Sequence, residues 1–174
     1  LVIAAADKLI LPGVGAFEDA VQKLRASCLD QMVYESVKAG KPLMGICLGM
    51  QMLFEKSFEY GETKGLSLLK GQIHPISDII DPSLKIPHIG WNSLNFSGSK
   101  SSLFKYINDG DYVYFVHSFY AANCKESLIA TTDYSVPITA AVGKDNIFGC
   151  QFHPEKSGKV GLNILRAFCE GGKI

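Results

Sequence analysis

Gly45-Ile46-Cys47-Leu48-Gly49 places one cysteine between two glycines, where an apolar run ends and a helical pattern begins. This is the glycine-x-nucleophile-x-glycine elbow with a thiol in the nucleophile's place. The glycines let the chain turn tightly and keep Cβ atoms away, so Cys47 stands at the carboxyl end of a strand. The helix that follows points its positive end at the sulfur, which favours thiolate. Taken alone, the pentapeptide also fits a buried packing cysteine between structural glycines.

A base lies far along the chain in Gln151-Phe152-His153-Pro154-Glu155. Strand alternation puts Gln151 and His153 on one face and Phe152 on the other. Pro154 stiffens the exit and leaves Glu155 near enough to hold an imidazole N–H. A base oriented by a carboxylate is what a cysteine nucleophile needs. On its own this segment reads more simply as a surface histidine beside a helix-capping glutamate. Pro12-Gly13-Val14-Gly15 follows a short apolar run and leaves backbone N–H groups free to face a ligand. Gly13 and Val14 can form one side of an oxyanion hole, with the Leu48 N–H as the other donor. Without the other two segments it is a generic turn between strand and helix. His74 and His88 each adjoin a proline and read as structural or exposed. His117 ends a strong strand and is placed to line a pocket through its backbone. Trp91 and Asn92 fit either core or partner surface.

These residues need strands to hold them. Lys8 to Leu11 and Pro42 to Ile46 are apolar runs that read as buried strands. Phe17, Ala20, Val21 and Leu24 recur at helical spacing, as do Leu29, Met32, Val33 and Val37 before Gly40. A further helix is expected from Met50 to Phe54. Strand and helix alternating with short joints mean a parallel α/β sheet. Residues 60–100 are rich in Gly, Ser and Pro, with only short strand-like pieces. Tyr112 to Val116, Leu128 to Thr131, Ile138 to Val142 and Ile147 to Phe152 read as strands. Gly143-Lys144-Asp145-Asn146 turns the last two into a hairpin. Leu162, Leu165, Phe168 and Cys169 form the apolar stripe of a closing helix, with Ser157 as its N-cap.

The 174 residues suit a single domain, and 47% hydrophobic content gives it a core. Seventeen basic and 17 acidic residues balance, which argues against nucleic acid or membrane as the main ligand. No apolar run approaches the roughly 20 residues that span a bilayer. Five cysteines with no C-x-x-C pair suggest neither a disulfide framework nor a zinc site. The simplest home is a reducing, cytoplasmic compartment.

In this order the segments resemble the class I (triad) glutamine amidotransferases. The nucleophile motif extends to Gly45-Ile46-Cys47-Leu48-Gly49-Met50-Gln51, and His153-Pro154-Glu155 matches the second motif. Leu11 to Phe17, Pro87 to Asn92, Tyr114 to Ser118 and His153 to Ser157 are similar to the branch of glutaminase subunits that serve imidazole glycerol phosphate synthase in histidine biosynthesis. The resemblance implies an open, mostly parallel, flavodoxin-like sheet flanked by helices, with additional antiparallel strands in the C-terminal half. It implies one amidotransferase domain over residues 1–174, lacking the family's N-terminal strand–helix–strand. Cys47, His153 and Glu155 are then the triad that releases ammonia from L-glutamine through a thioester, without a cofactor or metal. Gln51 and Glu59 match positions that grip the amino-acid end of glutamine, and Ser118 and Phe119 match a strand end that does so through its backbone. The expected partner is a (β/α)8-barrel cyclase subunit in a heterodimer. Trp91, Asn92 and Lys156 are expected at its interface, Lys156 with no evident role in hydrolysis. The glycines flanking Val14 make a peptide flip inexpensive, so docking of the partner is expected to complete the oxyanion hole. The alternatives left open are a paralogous ammonia donor to another synthase, as in surface-sugar amidation, and a non-catalytic partner module.

Overall fold

The computed structural model describes residues 2–171. A short helix α1 (Val2–Ala5) precedes β1 (Leu9–Leu11), α2 (Phe17–Ala26), α3 (Leu29–Lys38), β2 (Leu43–Ile46) and α4 (Leu48–Met52). Small strands follow: β3 (Lys56–Ser57), β4 (Thr63–Lys64), β5 (Gln72–Pro75), β6 (His88–Ser93) and β7 (Asn95–Phe96). The chain closes with β8 (Tyr112–His117), β9 (Phe119–Ala122), β10 (Leu128–Tyr134), β11 (Val136–Lys144), β12 (Ile147–Cys150) and α5 (Gly158–Glu170).

The main sheet has six strands in the order β1-β2-β12-β11-β10-β7. β1, β2 and β12 are parallel, whereas β11, β10 and β7 continue the sheet antiparallel. All four residues of β2 are buried, because helices cover both faces of a parallel sheet and no alternation of polarity is needed. Alternation still sorts the side chains. Leu43 joins Phe17, Val21 and Phe54 on one face, while Met44 joins Phe148, Phe152 and Phe168 on the other. α2 buries Phe17 and Val21, and its Glu18, Asp19, Lys23 and Arg25 complement the helix dipole at the two ends.

A four-stranded sheet, β4-β3-β5-β9, and a two-stranded ladder, β6-β8, complete the architecture. β8 and β9 are separated only by Ser118, so the chain passes from one sheet to the other at that residue. The parallel strands β1, β2 and β12 end on the same edge. The turn at Pro12, the elbow at Cys47 and the segment from Gln151 to His153 therefore emerge together.

Two features of the last helix differ from expectation. α5 buries Gly161, Ile164, Ala167 and Phe168, whereas Leu162 is 63% exposed and Cys169 is exposed. The stripe is turned because Gly161 lies against Pro154, where an added Cβ would come within 1.9 Å of the carbonyl oxygen. Ser157 does occupy the N-cap position, but its side chain makes no cap hydrogen bond. Its hydroxyl instead accepts from the Tyr114 N–H at 2.9 Å and donates to the His153 carbonyl at 2.6 Å. That hydroxyl ties the loop carrying His153 to β8. α4 also starts earlier than the apolar pattern suggests, directly after Cys47.

Candidate active site

Cys47 sits between β2 and α4 with φ 54° and ψ −113°. A non-glycine residue held at positive φ costs of order 1–3 kcal/mol and marks a position fixed by its surroundings. Both elbow glycines are needed for close backbone approach. A Cβ on Gly45 would meet the Met50 nitrogen at 2.6 Å, and one on Gly49 would meet the Leu11 oxygen at 1.8 Å. The elbow is thus pressed against the end of β1. Gly13 lies against the same helix start, since its added Cβ would be 2.9 Å from the Gly49 nitrogen. Gly15, at φ +94°, meets nothing within 4 Å.

A cavity of about 520 Å³ opens in front of the thiol. Val14, Cys47, Leu48, Gln51, Glu59, His117, Ser118, Phe119 and His153 line it, with Gly15, Tyr60, Pro87 and Val116. The thiol donates to the Val116 carbonyl at 3.9 Å and accepts from Gln151 Nε2 at 3.7 Å. The Cys47 N–H is bonded to the Cys150 carbonyl at 2.8 Å, so it is not free to face a ligand. His153 is buried and its Nδ1 lies 2.7 Å from Glu155 Oε1. With Nδ1–H donating to that carboxylate, Nε2 remains to take and give a proton. Glu155 itself is half exposed.

Burial pushes the Cys47 thiol above its ordinary pKa. The Leu48 N–H, the charge of Lys156 and the Gln151 amide pull it down, while the Glu155 charge adds to the rise. The amide at the start of α4 does favour thiolate, as its place suggests, but burial outweighs it, and the helix has only five residues. Lys156, with no evident role in hydrolysis from the sequence, contributes a charge that lowers the thiol pKa by less than burial raises it.

Gln51 donates to Gln151 Oε1 at 2.9 Å and to the Phe119 carbonyl at 3.3 Å. Glu59 lines the cavity, yet its Oε2 also accepts the Phe17 N–H at 2.6 Å, holding the start of α2. Gly13 lines an adjoining cavity beneath the turn rather than the cavity at the thiol. Trp91 is 55% exposed and packs edge-on against Tyr114 at 6.1 Å. Lys156 is exposed, while Asn92 is half-buried and donates to the Asp133 carbonyl at 2.7 Å. Sequence reasoning missed the place of Gln151 beside the sulfur, although the strand alternation that put it with His153 was the available signal. His88, expected to be structural or exposed, is buried and paired with His117. Among the described residues, no three His, Cys, Asp or Glu side chains are grouped to hold a metal ion. No described helix is long and apolar enough to cross a membrane.

Residues 3–170 match the family described as Glutamine amidotransferase class-I. The chain is 52% identical over 169 residues to the imidazole glycerol phosphate synthase subunit HisH of Lactococcus lactis, covering 97% of this chain and 81% of that protein. It is 50% identical over 168 residues to the subunit of the same name from Wolinella succinogenes, covering 95% of this chain and 82% of that one. Among solved structures, PurLQS from Thermotoga maritima superposes with a TM-score of 0.68 at 20% identity, over 94% of this chain and 79% of that chain. The Trypanosoma brucei CTPS glutaminase domain with bound acivicin superposes at 0.66 and 15% identity, over 99% of this chain and 75% of that chain. The strand-edge cavity, its elbow cysteine and the sequence likeness agree: the chain belongs to the class I glutamine amidotransferase family, among the HisH subunits.

Proposed function

We propose that the chain is the glutaminase subunit of imidazole glycerol phosphate synthase, with Cys47, His153 and Glu155 as its triad. The observation that carries the reading is a strained elbow thiol sharing one cavity with a histidine that a carboxylate orients at 2.7 Å. Cys47 Sγ attacks the side-chain amide carbon of glutamine and gives up its proton to His153. Because burial holds the thiol protonated, proton transfer and attack are coupled. The Leu48 N–H and a Val14 N–H turned to the cavity hold the developing oxyanion. His153 then protonates the departing nitrogen, the C–N bond breaks, and ammonia leaves a glutamyl thioester on Cys47. Water deprotonated by His153 opens the thioester, glutamate leaves, and the sulfur regains its proton.

Glu59 and Gln51 hold the amino-acid end of the substrate, with the Ser118–Phe119 backbone opposite them. Ammonia passes to a (β/α)8-barrel cyclase subunit docked over Trp91, Asn92 and Lys156 in a cytoplasmic heterodimer. The exposed indole is an apolar anchor of the type that dominates interfaces. Mixing the chain with such a cyclase and its phosphoribulosyl-formimino nucleotide substrate tests the assignment. Glutamine should support imidazole glycerol phosphate formation, with one glutamate released per product. Product from ammonium salt but none from glutamine would mean that the chain serves a different synthase.

A further inference from the structure

At the wall of the cavity, His117 and the buried His88 behind it form a hydrogen-bonded chain whose direction the chemistry fixes. His117 Nδ1 lies 2.8 Å from the Phe119 carbonyl oxygen, which can only accept, so Nδ1 carries the hydrogen. Burial, outweighing the bond to Phe119, lowers the His117 pKa to about 4, and the ring is neutral at pH 7. Its Nε2 is therefore an acceptor. His88 Nδ1 stands 3.0 Å from that Nε2 and must be the donor. The His88 ring has little freedom to turn, because it is stacked between Phe115 and Tyr134 at centroid distances of 5.0 and 4.1 Å. Its Nε2 accepts, more weakly, from Asn92 Nδ2 at 3.5 Å.

The chain ends on an oxygen that matters to the site. The Phe119 carbonyl also takes the Gln51 amide, so two donors hold it turned into the protein. The preceding Ser118 carbonyl is likewise engaged, by the Ile76 N–H at 2.9 Å. At the junction of β8 and β9, which lines the cavity, the Ser118 and Phe119 carbonyl oxygens are thus taken up by protein donors and are not free to oppose a carboxylate.

We propose that His88 and His117 are positioning residues for glutamine binding: His88 Nδ1–H orients His117, and His117 Nδ1–H fixes the Phe119 peptide at the cavity edge. This rests on the assignment of the cavity to glutamine. Neither ring acts as an acid or base in the reaction.

Cys47 labelling by acivicin, with glutamine as protector, reads the effect without turnover. Asparagine places its amide nitrogen where a histidine has Nδ1, and glutamine places it where a histidine has Nε2. His88→Asn should keep the glutamine protection constant within about twofold of wild type. His88→Gln and His88→Leu should raise it about tenfold or more, because the His117 acceptor is left buried and unpaired. The His88→Leu/His117→Leu double variant should be no worse than His117→Leu, since the two bonds act in series. Equal protection constants for His88→Asn and His88→Gln, or a fall in Tm with an unchanged constant, would overturn the proposal. If wild-type Cys47 is not labelled, or glutamine gives no protection, the glutaminase reading fails instead.

Discussion

Alanine at position 49 would place a methyl carbon 1.8 Å from the Leu11 carbonyl oxygen, 2.8 Å from its carbon and 3.2 Å from the Pro12 carbon. Ordinary contact begins at 3.4 Å, so the end of β1 and the elbow must separate by about 1.6 Å. The obstacle is backbone on both sides, with no flexible side chain to swing away. Overpacking of this kind costs about 1–3 kcal/mol, or more where backbone must move. The same movement pulls the Pro12–Gly15 turn from the Leu48 N–H, the two halves of the proposed oxyanion hole. Loss of one donor lowers kcat by about a hundred- to a thousandfold. Gly49→Ala should therefore show both a lowered Tm and a collapsed kcat, while acivicin still reaches the thiol of the folded fraction. Gly15→Ala is the control for the turn itself, because its Cβ enters open space and only the positive φ is strained. Gly15→Ala should alter the rate stimulated by the partner more than it alters Tm. Gly13→Ala cannot serve this purpose, since its Cβ would meet the Gly49 nitrogen at 2.9 Å. Thermal melts and steady-state glutamate release on active-site-titrated protein decide the matter. A Gly49→Ala protein with wild-type Tm and kcat would refute the close-approach argument.

Three other perturbations have defined outcomes. Glu59→Gln keeps an acceptor for the Phe17 N–H but removes the charge proposed to hold the substrate ammonium, so kcat/KM for glutamine should fall about ten- to a hundredfold with Tm little changed; an unchanged kcat/KM removes Glu59 from the substrate site. Lys156→Glu replaces a charge that lowers the thiol pKa by one that raises it, so the pH at which Cys47 becomes thiolate, read from the pH dependence of its alkylation rate, should move up, and an unmoved alkylation profile contradicts that coupling. His117 has a folded pKa near 4, below its unfolded 6.5, so its neutral form stabilises the fold above pH 6.5. That stability, up to roughly 3 kcal/mol, is lost as pH falls from 6.5 through 4, and urea melts across this range should show a shallower loss in His117→Asn.

What could be read from the sequence was what neighbouring residues determine among themselves. The two elbow glycines, the strand before them and the helix after them lie within a few positions, and each constrains the next. The same holds for His153 and Glu155, two residues apart across a proline. Properties set by distant packing were not legible. The sulfur's pKa depends on how deeply the fold buries Cys47, which outweighs the short helix behind it. Ser157 has the right type and place for an N-cap, but the Tyr114 N–H and the His153 carbonyl occupy its hydroxyl. The facing of α5 follows from a contact between Gly161 and Pro154 that no periodicity encodes. His88 beside a proline looked structural or exposed, and only the pairing of β6 with β8 sets it opposite His117.

The central claim is that Cys47 releases ammonia which a second subunit consumes, and Cys47→Ala measured two ways tests it most directly. Cys47 is buried at the elbow, and removing its sulfur leaves the glycine contacts and the backbone hydrogen bonds in place. The variant, paired with the cyclase, should release no glutamate from glutamine. The same complex should form product at the wild-type rate when given ammonium salt at a pH where free ammonia is present. Glutamate release at the wild-type rate from Cys47→Ala would contradict the account.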